Sequence, residues 1–433
     1  MASQCTQPDF LPSLQRVDPL ISSYETTKHI VQGSAEGFVV EARTTDGSLR
    51  HLFVKHVDVK KYGHKPWSDL RRTCHYTRTE VRFYDEILPL LRNGLRAVGD
   101  PWPVAPRVYV AEYDLSGLIE EDASTAAAPS TGEDPRYDDG DRSVLEGKRG
   151  LLVMDDVGAG RGYFQRNPLP REVALASVRA LARFHAASFG DAAVLMAASD
   201  RLCEYGGSYH LRNRNPKELA HMADAWEGLA RDLGPVAPRG FFDEPSRQDL
   251  GRRTVAAAAY VSEELSPTPR CPHATVVHGD YKAMNVFFGA EDGTDCLLID
   301  FASAGVGLGA SDLAMHVAHA ITAEDLDDGV EEVLVEAYFA ALQKALPEGL
   351  RQAYTKEEFR RHYGLATVDY FRFILGRQWK GATQETFDRR NEDANFAMVN
   401  RSVEAALKFI ERADRHLKVI EEERSALESQ KLS

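Results

Sequence analysis

No run of about 18 consecutive apolar residues occurs in the 433-residue chain, so a membrane-spanning helix is excluded by the length a bilayer demands. Cysteine is scarce. Cys5, Cys74, Cys203, Cys271 and Cys296 are odd in number, scattered and free of any CxxC spacing, which excludes a disulfide framework and a thiolate zinc site. Positive charge is in deficit: 52 Lys and Arg face 66 Asp and Glu, a formal charge of −14. A general binder of nucleic-acid phosphates needs the opposite balance. The opening residues MASQCTQPDFLPSLQ lack the charged and apolar regions of a secretory leader. The expectation is a cytoplasmic protein with reduced thiols, no nucleic-acid or membrane contact and no obligate protein partner. There is no internal repeat, which removes solenoids. What is present, 43% hydrophobic and 27% charged residues, is an ordinary globular composition with chain enough for two or three units.

The first part of the chain reads as strands and turns. His29–Ala42 is apolar and β-prone with Gly33 and Gly37 inside it, and Asp46-Gly47 is a hairpin signal. His51–Val57 is a second strand with Lys55 among apolar neighbours. A basic segment follows, Lys60 to Arg72, read as a solvated loop, and Thr77–Leu91 has helical spacing through Val81, Tyr84 and Leu88. The stretch 122–150 is too poor in apolar residues to bury much and reads as a mobile loop insertion. Leu151–Met154 is a short apolar strand ending in Asp155-Asp156-Val157, and from Arg171 the pattern is mostly helical. The expected boundary therefore divides 1–157, rich in strands, from 158–433, rich in helices. The tail beyond Ser402 reads as a charged amphipathic helix packed on the helical part.

The densest chemical signal is VVHGDYKAMNVFF at Val276–Phe288, followed by LLIDF at Leu297–Phe301. A buried strand, Thr275–Val277, delivers His278, Gly279 and Asp280 to a loop. Lys282 and Asn285 lie two and five residues beyond Asp280, and a hairpin brings Asp300 opposite. The Asn285 amide oxygen and the Asp300 carboxylate are a sparse oxygen set, of the kind magnesium takes together with phosphate oxygens. Asp280 is then left to orient or deprotonate a hydroxyl, and Lys282 to neutralise a transferring phosphoryl group.

These residues resemble a known group. H-G-D-Y-K-A-M-N followed by I-D-F is similar to the catalytic and metal loops of the protein-kinase-like small-molecule kinases. That group holds the aminoglycoside phosphotransferases, choline and ethanolamine kinases, and ecdysteroid-kinase-like enzymes. The resemblance runs from about Gln32 to Arg415 and implies an α+β fold of two lobes, a strand-rich N-lobe binding ATP and a mostly helical C-lobe. It further implies Asp280 as catalytic base, Asn285 and Asp300 as Mg²⁺ ligands, and Lys282 at a phosphate-contacting position. Lys55 in L-F-V-K resembles the strand lysine that holds nucleotide phosphates, and Glu80 the helix glutamate that pairs with it. LLVMDDV resembles the hinge, where backbone groups near Asp155 and Val157 would meet adenine. LARFHA resembles the helix before the catalytic loop, and ASDLAMHV the segment whose aspartate, Asp312, braces that loop.

Two departures are informative. The nucleotide-covering loop reads VQGSAEGFVV without the full G-x-G-x-x-G, leaving Gly33 and Ser34 as its phosphate contacts. Gly279 stands where protein kinases carry an arginine, and no A-P-E follows Asp300, which favours a small-molecule hydroxyl acceptor over a protein substrate. The leading expectation is an ATP- and Mg²⁺-dependent small-molecule kinase. The alternative is a catalytically silent nucleotide-binding module of the same fold.

The other signals have blander readings. GVGLGA at Gly305–Ala310 imitates a dinucleotide-binding turn, yet no βαβ repeat accompanies it, so it reads as a flexible loop after Asp300. His278 reads as a loop brace. His316 and His319 lack a third ligand and read as ordinary histidines. Tyr370, Phe373 and Trp379 read first as core and second as an aromatic face for a quaternary ammonium acceptor. Asp369, Glu385 and Asp388 either pair with acceptor amines or are solvated.

Overall fold

The computed structural model describes residues 8–33, 35–119, 142–213, 217–289 and 295–432. After a short helix, α1 (Leu11–Val17), the chain forms β1 (Ile21–Gln32), β2 (Ala35–Thr44) and β3 (Leu49–Asp58), joined by hairpins. The apolar stretch around Gly33 is thus divided between two strands. Gly33 takes φ +63° at the β1–β2 tip, where the turn requires the left-handed region, and Gly47 takes φ +87° at the next. With β4 (Val108–Asp114) and β5 (Arg149–Asp155) these make a five-stranded antiparallel sheet of order β1-β2-β3-β5-β4.

Alternation along β3 decides which residues reach the site. Leu52 and Val54 point to one face, where Phe38, Val40, Val110, Leu151 and Val153 meet Leu14 of α1 and Phe10 just before it. Lys55 points to the other, toward α2 (Trp67–Arg82). That helix starts ten residues earlier than the periodicity suggests. Gly63 and Pro66 end the preceding turn, and nothing from Trp67 onward breaks a helix, so the basic segment is split between a 3₁₀ turn at Val59–Tyr62 and the first turns of α2. The helix passes through a π turn at Phe83–Ile87 into α3 (Leu88–Ala97). Pro89 supplies no N–H and its ring crowds the Asp85 carbonyl, so the ladder widens and Leu88 N–H bonds to Phe83 O.

Of the segment 122–150, residues 122–141 lie outside the described residues. The remainder is tied down: Arg142–Leu145 forms a 3₁₀ turn with Leu145 buried, and Arg149 and Gly150 open β5. Asp156 caps the short helix α4 (Val157–Arg161), accepting from Gly158 N and Ala159 N. From there the chain is mostly helical, beginning with α5 (Arg171–Ala186).

Among the described residues, the small strands that interrupt the helices lie in and just after the catalytic signal. β6 (Thr275–Val277) pairs antiparallel with β9 (Gly305–Gly307), and β7 (Val286–Phe288) with β8 (Cys296–Leu298). The helices Gly309–Ala320 and Lys356–Phe373 pack against each other beneath them. The last helix, Val403–Leu432, buries Phe409, Ile410, Ala413, Leu417 and Ile420 against the lobe, and two of its charged residues are buried with them, Arg412 paired with Glu331 and Asp414 with Arg253. The architecture is the α+β, two-lobed protein-kinase-like fold. Among the described residues no helix is long and apolar enough to cross a membrane.

The glycines Gly305–Gly309 are not a flexible loop. They form the buried strand β9 and the first residue of the next helix. A Cβ at Gly305 would lie 2.3 Å from Cys203 O, and one at Gly309 would lie 2.3 Å from the Tyr338 hydroxyl. Close approach, not mobility, is what demands glycine here, and antiparallel pairing with β6 replaces the parallel βαβ turn the motif imitates.

Candidate active site

Three elements meet at Lys55. Its Nζ lies 2.6 Å from Glu80 on α2 and 2.9 Å from Asp300 Oδ1, the residue that follows β8 and Ile299. One ammonium thus joins sheet, helix and loop across 245 residues of sequence. Burial disfavours the charge of Lys55, but Asp300 and Glu80 more than offset it and hold the lysine above its ordinary range. Burial likewise opposes Asp300, yet Lys55 and Lys282 hold its carboxyl down to about 2. Glu80 is more deeply enclosed and is pushed up to about 7 by desolvation, against the pull of Lys55.

Asp300 has φ +66°, a left-handed conformation that a non-glycine residue keeps only when its surroundings impose it. Here the imposing neighbour is Phe301. Its ring is fully buried, stacked on Phe83 at 3.7 Å and against His278 at 4.6 Å. The strain aims the Asp300 carboxylate at Lys55 while the next side chain anchors in the core.

The opposite wall is the loop His278–Asn285. Asp312, buried on the helix Gly309–Ala320, accepts from His278 N at 2.6 Å, Gly279 N at 2.9 Å and His185 Nε2 at 3.1 Å. A carboxylate only accepts, so His185 donates from Nε2 and its Nδ1 takes the Tyr338 hydroxyl at 2.7 Å. His278 donates from Nε2 to Ile299 O at 2.9 Å, which frees Nδ1 to accept from Asp280 N at 3.3 Å. Burial holds the His278 pKa below the usual histidine value. It is a neutral brace, as its position suggests. Gly279 has φ +79°, and a Cβ there would lie 2.0 Å from Ser303 O.

Within this loop Asn285 Nδ2 donates to Asp280 O at 2.8 Å, which leaves the amide oxygen as its acceptor end. Lys282 Nζ lies 3.4 Å from Asp280 Oδ2. The Asp280 carboxylate chiefly, with Asp300 beside it, raises Lys282 above the ordinary lysine range. Asp280, Lys282, Asn285, Asp300, Lys55 and Glu80 therefore gather in one cleft between sheet and helices, with two ammonium groups among three carboxylates.

The outer positions differ. Gly33 sits at the open tip of the β1–β2 hairpin with nothing within 4 Å of a Cβ placed on it, and Ser34 lies outside the described residues. At the sheet-to-helix connection, Asp155 N donates to Arg107 O at 2.9 Å, and Val157 O accepts from Tyr163 N at 3.1 Å. The Asp155 side chain is taken up by Tyr109 and Arg161.

The acceptor-face signals divide. Trp379 is fully buried among Phe371, Phe387 and Phe409, and Tyr370 packs on Tyr209, so both are core; Phe373 is half-buried. Asp369 is buried and paired with Arg372 at 2.7 Å, while Glu385 and Asp388 are exposed. His316 bonds Ser177 Oγ at 2.9 Å and His319 bonds Asn167 Nδ2 at 3.2 Å, both inside the lobe.

A neighbour that motif reading missed is Gly206-Gly207-Ser208. Gly207 N donates to Ser303 O at 3.1 Å, Ser208 N to Gly279 O at 2.8 Å, and Ser208 Oγ lies 3.5 Å from Asp280 Oδ1. Its only trace in sequence is the glycine pair itself.

The model of the ecdysteroid kinase-like family matches residues 41–348. Among solved structures, the chain is similar to an aminoglycoside phosphotransferase from Alicyclobacillus acidocaldarius, at 12% identity and TM-score 0.44, with 98% of each chain covered. It is similar to a choline/ethanolamine kinase family protein from Mesorhizobium loti, at 13% identity and TM-score 0.40, covering 95% of this chain and 96% of that one. An ethanolamine kinase from Plasmodium vivax aligns at 10% identity and TM-score 0.41, covering 94% and 92%. No curated protein matches the chain by sequence.

Proposed function

The chain belongs to the ecdysteroid kinase-like family, and from that premise we propose an ATP- and magnesium-dependent phosphotransferase that acts on a hydroxyl of a small organic molecule. The observation that carries this reading is the shared ammonium of Lys55, held between Glu80 and Asp300 across the cleft from Asp280. In this reading residues 1–157 bind the nucleotide, with Gly33 and Ser34 covering its phosphates and the Asp155–Val157 backbone meeting adenine. Residues 158–433 supply the catalytic and metal loops.

The donor chemistry fits a hard cation. Asn285 has committed its amide nitrogen to the loop and offers oxygen, and Asp300 is held ionised at all ordinary pH. Bound magnesium supplies neutralisation of phosphate charge. The chain's own groups do the rest. Lys55, positioned by Glu80, fixes phosphate oxygens. Asp280 accepts the proton of the acceptor hydroxyl at its carboxylate. Lys282, held charged by its neighbours, offsets charge gathering at the transferring group. The loop stays in place because Asp312 holds two of its amides.

The test is ADP release from MgATP over a panel of hydroxylated steroids, amino alcohols and aminoglycosides, wild type against Asp280→Asn. Loss of a positioned general base costs about 10²–10⁴ in rate. Turnover of any panel member that D280N leaves unaltered contradicts the assignment.

A further inference from the structure

A second cluster of donor side chains lies on the helical lobe, away from the cleft. His273, in the turn just before β6, has Nδ1 at 3.1 Å from Glu358 Oε1. Glu358 and His362 stand four residues apart on the helix Lys356–Phe373, hence on one face. One ligand atom from each of the three residues lies within 4.8 Å of the other two. Two ligands of a tetrahedral zinc, each about 2.0–2.2 Å from the ion, sit about 3.3–3.5 Å apart. The His273–Glu358 pair already has nearly that spacing, and small rotations bring in His362.

We propose that His273, Glu358 and His362 bind a divalent transition-metal ion of the zinc class, clamping the turn that leads into β6 onto the helix Lys356–Phe373.

Three features support this. Two imidazoles with one carboxylate select zinc-like ions over magnesium or calcium, which take oxygen ligands. His362 is oriented from behind, its Nδ1 lying 3.0 Å from the buried Tyr354 hydroxyl, the outer contact that fixes a ligating ring. The His273 and His362 ring centroids lie 6.1 Å apart, a spacing that lets both rings reach one ion beside Glu358. The location gives the clamp a consequence. Two residues after His273 the chain enters β6, which ends at the catalytic loop His278–Asp280. An ion at this site fixes the root of the strand that carries the proposed base. The site is independent of the kinase reading, since none of its residues belongs to the cleft.

The experiment is calorimetric titration of the chelator-treated full-length chain with ZnCl₂, in millimolar Mg²⁺ so that the carboxylates of the cleft are already served. The expected result is one Zn²⁺ per chain at micromolar affinity or tighter, with a rise in thermal midpoint. Glu358→Gln and His273→Gln, both at partly exposed positions that leave the core intact, weaken binding at least tenfold. They also abolish the visible absorption of the Co²⁺-substituted protein. Asp300→Asn leaves zinc binding unchanged. No binding by the wild type, affinity that E358Q and H273Q leave unaltered, or loss of zinc in D300N instead would each overturn the assignment. The titration with MgATP, run separately, reports on the cleft whatever the zinc result.

Discussion

Asp312→Asn is the most exacting test of how the catalytic loop is held. Both carboxylate oxygens of Asp312 face donors: Oδ1 takes Gly279 N–H, and Oδ2 takes His278 N–H and the His185 ring. An asparagine of the same shape keeps one oxygen. In its better orientation that oxygen serves His278 and His185, and the new NH₂ points at Gly279 N–H, donor against donor. Hydrogen bonds to a charged group contribute about 1.5–3 kcal/mol each, and a buried donor left unpaired costs about 1–3 kcal/mol. With one bond lost and two reduced to neutral strength, the substitution should destabilise the chain by about 3 kcal/mol, a large share of a typical folding free energy. Two assays read it. The urea midpoint should fall with little change in slope, and amide exchange at His278 and Gly279 should accelerate ahead of the rest of the lobe. A D312N chain with the wild-type midpoint and unaltered exchange at those two amides would refute the view that this side chain holds the loop.

Two further predictions follow from the same geometry. Gly279→Ala combines φ +79° with a Cβ placed 2.0 Å from Ser303 O, a backbone atom that cannot swing aside; a loss above about 2 kcal/mol is expected in urea unfolding, and an unchanged midpoint would contradict the packing described. The second concerns pH. Burial depresses His316, His362 and His416 to about 4, below the ~6.5 of an unfolded chain. Between those values the unfolded state binds more protons, so their contribution is complete above pH 6.5 and is lost as pH falls toward 4. At pH 5 each group should cost about 2 kcal/mol relative to neutrality; a thermal midpoint that is flat from pH 7 to 5 would show that these rings are not held neutral.

What could be read from the sequence was local. His278–Asn285 and Ile299–Phe301 are contiguous, so their chemistry is spelled out in order. Lys55 and Glu80, 25 residues apart, were legible through their resemblance to the strand lysine and helix glutamate of the kinases, since a lone strand lysine signals no partner. Asp312 stood in a recognisable segment. Contacts made only by folding left no such trace. Ser208 reaches Asp280 across 72 residues, and His273 reaches Glu358 across a run of intervening helices. Gly305 and Gly309 misled for the same reason. Glycine in sequence signals freedom, whereas here Cys203 and Tyr338, both distant in the chain, occupy the space a side chain would need. The early start of α2 was hidden because basic residues in helix and loop look alike until the partner surface is known.

The central claim is that Lys55, Asn285 and Asp300 form a magnesium-dependent nucleotide site. Its most direct test is calorimetric titration with ATP, with and without magnesium, on the wild type and Asp300→Asn. The account predicts ATP binding strengthened by magnesium in the wild type, with that strengthening lost in D300N. ATP affinity indifferent to magnesium in the wild type would contradict it.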